Sequence, residues 1–127
     1  MDALLEAALR VRENAHAPFS GFHVGAALED VDGNVHTGCN VENATFGLPV
    51  CAERVAVFKA ISEGARKFRR IAVAADTDTL TPPCGACRQI LWEFCGDIEV
   101  ILVNPRGKTE TMRMSTLFPR PFDASFL

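Results

Sequence analysis

Apolar residues recur along the chain with two different periods, and the changes of period divide it into predicted helices and strands. Apolar positions at helical spacing after Asp2 predict a first helix, which the segment Ala17–Gly21 breaks. Two further segments with helical spacing each begin at a cysteine, and we predict helices over about Cys51–Glu63 and Cys84–Cys95. Gly64 follows the earlier of these two and is a typical helix stop.

Five other segments have the features of strands. Apolar residues alternate from Phe22 to Leu28, which predicts one strand, and the continuous apolar run Ile71–Ala75 predicts a strand covered on both faces. The remaining predicted strands are about Val35–Cys39, Glu99–Val103 and Thr109–Met114. The resulting order α-β-β-α-β-α-β-β predicts an α/β fold in which a single sheet carries helices on its faces.

Composition narrows the class of protein. The 127 residues contain no repeat and no linker, so we expect one domain over residues 1–127. A net charge of -3 disfavours a nucleic-acid partner, since such domains usually carry a basic face. No apolar run approaches the roughly 20 residues that span a bilayer, so no membrane partner is expected. The first residues carry acids where a secretory signal carries Lys or Arg, which favours a cytoplasmic location.

Cysteines mark the candidate chemistry. Five cysteines without a secretory signal indicate reduced thiols rather than a disulfide framework. Cys84 and Cys87 are three residues apart at one predicted helix start, and Cys51 lies at another. The positive end of a helix favours a thiolate, and zinc takes tetrahedral sulfur ligands with one position left for water in catalytic sites. The pattern predicts one zinc ion, with a bound water or hydroxide, held by these three sulfurs.

Spacing alone leaves other interpretations open. Cys84 and Cys87 are also compatible with a redox pair or with half of a structural zinc site, whose fourth ligand would be Cys39, Cys95 or a histidine. Glu53 favours a catalytic site, because a carboxylate is the group that takes a proton from water and hands it on.

Two motifs carry a family resemblance. Cys-x-Glu at Cys51–Arg54, followed by Pro-Cys-x-x-Cys in Pro83–Gln89, is the signature of zinc deaminases in its three-cysteine form. Together with Val24–Ala27 and Gly38–Ala44, it makes the chain from Phe19 to Phe122 resemble the small, homotetrameric cytidine deaminases. The resemblance implies a three-layer α/β/α fold with one mixed five-stranded sheet and one zinc ion per subunit. It also implies hydrolysis of cytidine or deoxycytidine to uridine or deoxyuridine and ammonia, in pyrimidine salvage.

The resemblance implies roles for individual residues. Glu53 would protonate N3 of the pyrimidine and carry a proton to the leaving ammonia. Asn40 and Glu42 would hold the ribose hydroxyls, and as they lie two apart in an extended segment both can face one ligand. Phe22 would lie near the base, and Ala52 would be a further substrate contact. From the residues alone, Asn40 and Glu42 are equally compatible with loop side chains that make local turns.

The resemblance also implies a site shared between subunits of a homotetramer, with Phe122 entering the neighbouring site. Arg54 is expected to hydrogen-bond a thiolate, and Gln89 to support the metal site.

Two positions depart from the family pattern: Phe46 stands where Tyr is usual, and Pro82 where a small polar residue is common. They leave open a related zinc deaminase for a modified cytosine compound, such as an N4- or ring-substituted cytidine or an aminonucleoside antibiotic.

Overall fold

The computed structural model describes residues 1–127 and contains one five-stranded mixed sheet. Its strands are β1 Val24–Asp30, β2 Val35–Cys39, β3 Phe68–Ala75, β4 Glu99–Val103 and β5 Thr109–Arg113. They lie in the order β2-β1-β3-β4-β5. The β3–β4 pair is parallel, and the other three pairs are antiparallel. The predicted mixed sheet of five strands is therefore confirmed.

Helices cover both faces of this sheet. They are α1 Ala3–Arg12, α2 Ala52–Ser62, α3 Gly85–Cys95 and the short α4 Met114–Leu117, followed by a 3-10 turn at Ala124–Phe126. Leu4, Leu5 and Ala8 of α1 pack on one face of the sheet, whereas the buried residues of α2 and α3 pack on the other. The predicted three layers are present, and none of the helices is long and apolar enough to cross a membrane.

Strand β1 contributes to both apolar cores. Val24, Ala26 and Leu28 share one face of the strand, as their alternation predicted, and this face packs against α2 and α3, while Ala27 lies in the core under α1. Phe22 lies before the strand, so the prediction that β1 begins there was wrong by two residues. This places the Phe22 ring at the sheet margin, where it remains 42% exposed.

Two helices approach the sheet so closely that glycine is required beneath them. A Cβ atom on Gly25 would lie 2.1 Å from the carbonyl oxygen of Ala8 in α1. A Cβ atom on Gly38 would lie 2.5 Å from the amide nitrogen of Ala56 and 2.6 Å from the carbonyl oxygen of Ala52, both in α2. The missing side chain at Gly38 therefore lets the first turns of α2 rest directly on β2.

A buried histidine fixes the far end of α2. His36 of β2 is 9% exposed, and its Nε2 lies 2.9 Å from Asp30 Oδ2 while its Nδ1 lies 3.0 Å from Glu63 Oε1. The hydrogen bond from His36 lowers the pKa of Asp30. These contacts join the β1–β2 turn to the C-terminal end of α2.

Candidate active site

The first turns of α2 and α3 meet, and a cysteine occupies the N-cap position of each. Cys51 precedes α2 and Cys84 precedes α3, both with extended backbone and neither with a side-chain capping hydrogen bond. Cys87 lies in the first turn of α3 and is buried. The three sulfur atoms lie within 4.8 Å of one another. Ligand atoms that are distant in sequence thus converge on one point.

The spacing of these sulfurs fits a zinc ion. Tetrahedral coordination with Zn–S bonds of about 2.3 Å places sulfur atoms about 3.8 Å apart, which is compatible with the distances found. Neither Cys39 nor Cys95 belongs to the cluster. A structural zinc site would need a fourth protein ligand, whereas catalytic sites keep three and leave one position for water. The geometry therefore favours the catalytic interpretation.

The thiols also influence one another. The hydrogen bond with Cys87 is the main cause that lowers the pKa of Cys51 to about 5, and the Arg54 guanidinium adds to this shift. Contact with Cys51, followed by burial, raises the pKa of Cys87. One thiolate therefore forms readily, while ionisation of its buried neighbour requires added positive charge. A bound cation supplies that charge, because a coordinating thiol is deprotonated.

Arg54 provides a fixed positive charge beside the sulfurs. Its Nη2 lies 3.7 Å from Cys51 Sγ and 3.4 Å from the carbonyl oxygen of Pro49, and its Nε is buried without a hydrogen-bond partner. Contact with the Cys51 thiolate raises the pKa of Arg54. Arg54 therefore lies in contact with a cysteine sulfur, where its charge offsets part of the negative charge of ionised thiols.

A pocket of about 160 Å³ opens beside the cysteines. Its lining residues are Phe22, Val24, Asn40, Cys51, Ala52, Glu53, Val73, Thr81, Pro82 and Cys84. Four of the residues predicted to bind or convert the substrate are therefore together in one pocket. Three lining residues, on β1, on β3 and in the loop before α3, were missed by the sequence analysis: Val24, Val73 and Thr81.

Glu53 lies in the first turn of α2 and lines the pocket. This residue is only 5% exposed. Burial is the main cause that raises the pKa of Glu53 to about 7, and the nearby Cys51 charge raises it further. A carboxyl group with a pKa near neutrality can both accept and release a proton at the pH of the cell, which is the property that general acid–base catalysis needs.

Asn40 lines the pocket with its side chain already fixed in orientation. Its Oδ1 accepts a hydrogen bond from the Val24 amide at 2.8 Å, and its Nδ2 donates to the Phe22 carbonyl at 2.8 Å. A carboxamide has four hydrogen-bonding positions, so one N–H and one lone pair remain for a ligand. The two contacts also hold the segment that carries the Phe22 ring.

Glu42 is outside the set of pocket-lining residues. Its carboxylate accepts hydrogen bonds from the backbone amides of Phe19 and Ser20 at 3.0 and 3.1 Å, and from the Ser20 hydroxyl. The Ser20 hydroxyl is the main cause that lowers the pKa of Glu42. The described contacts of Glu42 therefore hold the loop before β1.

The C-terminal segment is attached to α3. Gln89 Nε2 donates to the Phe122 carbonyl at 2.8 Å, and Trp92 Nε1 donates to Asp123 Oδ2 at 3.2 Å. The Phe122 ring stacks on Phe126 with centroids 5.7 Å apart, and it is 58% exposed outside the pocket of its own chain. The amide of Gln89 thus holds this segment, and the described structure gives it no hydrogen bond to a sulfur.

Comparison with known proteins gives consistent results. The family model for the cytidine and deoxycytidylate deaminase zinc-binding region matches residues 1–103. The chain is 50% identical over 122 residues to the cytidine deaminase of Halalkalibacterium halodurans, covering 95% of this chain and 92% of that protein. It is 45% identical over 123 residues to the cytidine deaminase of Sporosarcina psychrophila, covering 96% and 90% respectively.

Solved structures agree with these relatives. The 1.6 Å crystal structure of cytidine deaminase from Burkholderia pseudomallei has a TM-score of 0.90 and 48% sequence identity to this chain, and the match covers 94% of this chain and 97% of that one. The predicted family, fold class and zinc-binding type are confirmed, while the tetramer and the roles of single residues stay predictions. The chain belongs to the cytidine and deoxycytidylate deaminase zinc-binding family.

Proposed function

We propose that this protein catalyses the hydrolytic deamination of cytidine and deoxycytidine to uridine and deoxyuridine, with release of ammonia, as a step of pyrimidine salvage. The observation that carries the proposal is the buried carboxyl of Glu53 in a pocket that also exposes two of three convergent cysteines. One small ligand in this pocket would therefore lie next to both the proton-carrying carboxyl and the metal-binding cysteines.

Cys51, Cys84 and Cys87 would hold one zinc ion, which supplies Lewis acidity and a nucleophilic water at neutral pH when it is bound. The chain adjusts the electrostatics around that ion. The positive ends of α2 and α3 lie at the sulfurs and favour thiolates. Arg54 adds a full positive charge at 3.7 Å from Cys51 Sγ.

Glu53 would move the protons. The reaction adds water across the N3–C4 bond of the base and then expels ammonia from C4. One proton must therefore reach ring N3, and another must reach the departing amine. A carboxyl whose pKa burial has raised to about 7 can take up and give back a proton in both steps. Its place in the first turn of α2 holds it beside Cys51 and the pocket.

The pocket walls would bind the nucleoside. Phe22, Val24 and Val73 offer apolar surface to the base, which fits a flat heteroaromatic ring. Asn40 would use its remaining N–H and lone pair for a ribose hydroxyl. Glu42 would still accept a second hydroxyl, since an ionised carboxylate has about four lone-pair positions and the Phe19–Ser20 turn occupies three of them.

We also propose that the chain forms a homotetramer in which Phe122 enters the pocket of a neighbouring subunit. Phe122 is exposed and does not line its own pocket, and Phe46 and Leu48 expose 97% and 62% of their surface. Aromatic residues such as these two phenylalanines are enriched in the interfaces between protein subunits. Five free cysteines, three of them needed as thiol ligands, favour the reducing cytoplasm as the location.

Complementation would test the shared site. A Glu53→Gln subunit lacks the proton carrier but keeps Phe122, whereas a Phe122→Ala subunit has the reverse defect. If Phe122 serves the neighbouring pocket, co-expression of the two inactive variants restores activity in mixed oligomers. A mixture no more active than its separate components would contradict the shared site, and light scattering would give the number of subunits.

Uridine formation from cytidine by zinc-loaded protein is the direct test of the activity. Glu53→Gln should abolish it at unchanged zinc content, whereas the matched control Glu93→Gln, an exposed carboxylate on α3, should retain it. A zinc-loaded wild type that forms no uridine would contradict the proposal. Activity on N4- or ring-substituted cytidines would then support the alternative of a modified cytosine substrate, for which Pro82 in the pocket wall is the structural argument.

A further inference from the structure

A buried asparagine joins the β4–β5 turn to the loop that precedes α3. Asn104 follows β4 and is 2% exposed. Its Oδ1 accepts hydrogen bonds from the amides of Arg106 and Lys108 at 3.1 and 3.0 Å, and its Nδ2 donates to the Thr77 carbonyl at 3.1 Å. One carboxamide therefore closes a turn with its oxygen and anchors loop 76–83 with its nitrogen.

A second hydrogen bond extends this anchor to the pocket. The side-chain oxygens of Thr77 and Thr81 are 2.8 Å apart, and both residues are half-buried. Thr81 and its neighbour Pro82 line the pocket. Contacts therefore run without interruption from Asn104, outside the pocket, through Thr77 to the pocket wall.

The metal ligand at the end of the same loop has a separate anchor. Pro83 is fully buried, and its carbonyl accepts a hydrogen bond from Arg88 Nε at 2.7 Å. The Cys84 carbonyl accepts from the Arg88 amide at 2.9 Å in the first turn of α3. The pocket wall can therefore shift while the position of the Cys84 sulfur is maintained.

Exposed contacts also reach this loop, but they are weaker anchors. Arg106 pairs with Asp76 at 2.7 Å and with Asp78 at 3.1 Å, and the three side chains are 52%, 50% and 99% exposed. Exposed ion pairs contribute little because water and salt screen them. A buried amide that loses its hydrogen-bond partner cannot form a hydrogen bond with water instead, so its loss costs more free energy.

We propose that Asn104 and Thr77 are positioning residues, which fix Thr81 and Pro82 at the bound base and so set the KM for the nucleoside. This inference rests on the proposed deaminase function. Neither residue lines the pocket, so they act through the wall that they hold. A wall that is already ordered costs less entropy when a ligand binds, and a released wall must be ordered by the substrate itself.

Steady-state kinetics with cytidine on the zinc-loaded full chain test the inference. Thr77→Val removes the hydroxyl and preserves the shape, and it should raise KM by about 2- to 10-fold, the range for one hydrogen bond. Turnover should stay within about twofold at equal zinc content, because Glu53 and the sulfurs are untouched. Thr77→Ser keeps the hydroxyl and should restore the wild-type KM, and Arg106→Gln, which removes only the exposed pairs, should leave KM unchanged.

An unchanged KM in Thr77→Val would overturn the inference, as would a KM in Arg106→Gln that rises equally. Hydrogen exchange of the amides of loop 76–83 gives a readout without substrate. Exchange should be faster in Thr77→Val than in Thr77→Ser, and equal rates would overturn the inference independently of any activity. If the wild type has no deaminase activity but the two variants still differ in exchange, the proposed function is contradicted and the positioning of the pocket wall is supported.

Discussion

Helix α2 has a cluster of ionisable groups at each end, and the two clusters accommodate burial in opposite ways. At the C-terminal end, His36 lies between the carboxylates of Asp30 and Glu63 at 2.9 and 3.0 Å. At the N-terminal end, Glu53 is 5% exposed, and burial rather than a partner of opposite charge dominates its pKa. The first cluster pairs its charged groups with one another, whereas the second leaves a carboxyl between its two protonation states.

The difference separates a structural cluster from a reactive one. Hydrogen bonding with His36 holds the pKa of Asp30 below its usual range, so that carboxylate stays ionised and keeps its contacts. Burial moves the pKa of Glu53 to about 7, where its proton is exchangeable. Perturbation by burial in a pocket is typical of functional carboxyls, whereas paired charges are common in structural networks.

Loss of a sulfur ligand should have the largest effect. In Cys87→Ser a hydroxyl replaces the buried thiol, and we expect zinc binding to fail and activity to fall by more than about 100-fold, since even changes around metal ligands cost 10–100-fold. The melting temperature should also fall, because the ligands tie distant segments together. Metal analysis and calorimetry would measure both. Cys39→Ser, outside the cluster, is the control and should keep its zinc; a zinc-loaded Cys87→Ser would contradict the assignment.

A shift of α2 should disturb both of its ends at once. In Gly38→Ala the new Cβ would lie 2.5 Å from the Ala56 nitrogen and 2.6 Å from the Ala52 oxygen, so the helix must move away from β2. Overpacking of this kind costs about 1–3 kcal/mol of unfolding free energy. Activity should fall too, since Glu53 follows Ala52. Urea denaturation and turnover are the measurements, and a Gly38→Ala enzyme with wild-type values in both would refute the close approach.

The histidine cluster should make stability depend on pH. Burial is the largest influence on His36 and lowers its pKa, but the hydrogen bonds that His36 donates to Asp30 and Glu63 outweigh it, so the net pKa is raised. A raised pKa in the folded state means that the stabilisation is fully present below the unfolded pKa of about 6.5 and is lost as the pH rises through the folded pKa. The melting temperature of the wild type should exceed that of His36→Gln by a few degrees at about pH 5–6, and the gap should narrow at higher pH. Parallel curves would contradict this.

The two carboxylates of that cluster should differ in importance. The side chain of Asp30 is 7% exposed, and that of Glu63 is 55% exposed. Glu63→Gln should therefore lower the unfolding free energy by less than about 1 kcal/mol, as for other exposed ion pairs. Asp30→Asn should cost more, because Asp30 also accepts hydrogen bonds from the amides of Asp32 and Asn34. Urea denaturation of both variants measures the two losses of unfolding free energy. Equal losses would contradict the prediction that Asp30 contributes more than Glu63.

The helix starts that build the metal site could be predicted because their signals are local. The predicted helices Cys51–Glu63 and Cys84–Cys95 agree within one residue at each end with α2 and α3. Cysteines at two such starts, with a first-turn glutamate after one of them, were enough to indicate a zinc site with a proton carrier.

The rest of the pocket depends on contacts between distant segments, which leave no local pattern. Val73 lies within a continuous apolar run, and nothing in that run distinguishes a pocket residue from a core residue. The hydrogen bonds of Glu42 to Ser20 and Phe19 join residues 22 and 23 positions apart, and no local sequence signal predicts them. His36 gives no sign in the sequence that two carboxylates surround it. The mixed character of the sheet was predicted from the family resemblance alone, since periodicity does not show which strands are neighbours.

The close approach of the three thiols also affects how long the enzyme stays active. Cys84 is exposed and Cys51 is half-buried, and their sulfurs lie within 4.8 Å. In protein that has lost its cation, a modest movement would bring the two sulfurs to the 2.05 Å of a disulfide, and one oxidation would remove two ligands together. Metal loss would then become irreversible in air. We therefore expect the working lifetime to depend on the rate of cation release and on the oxidant present, rather than on the equilibrium of unfolding.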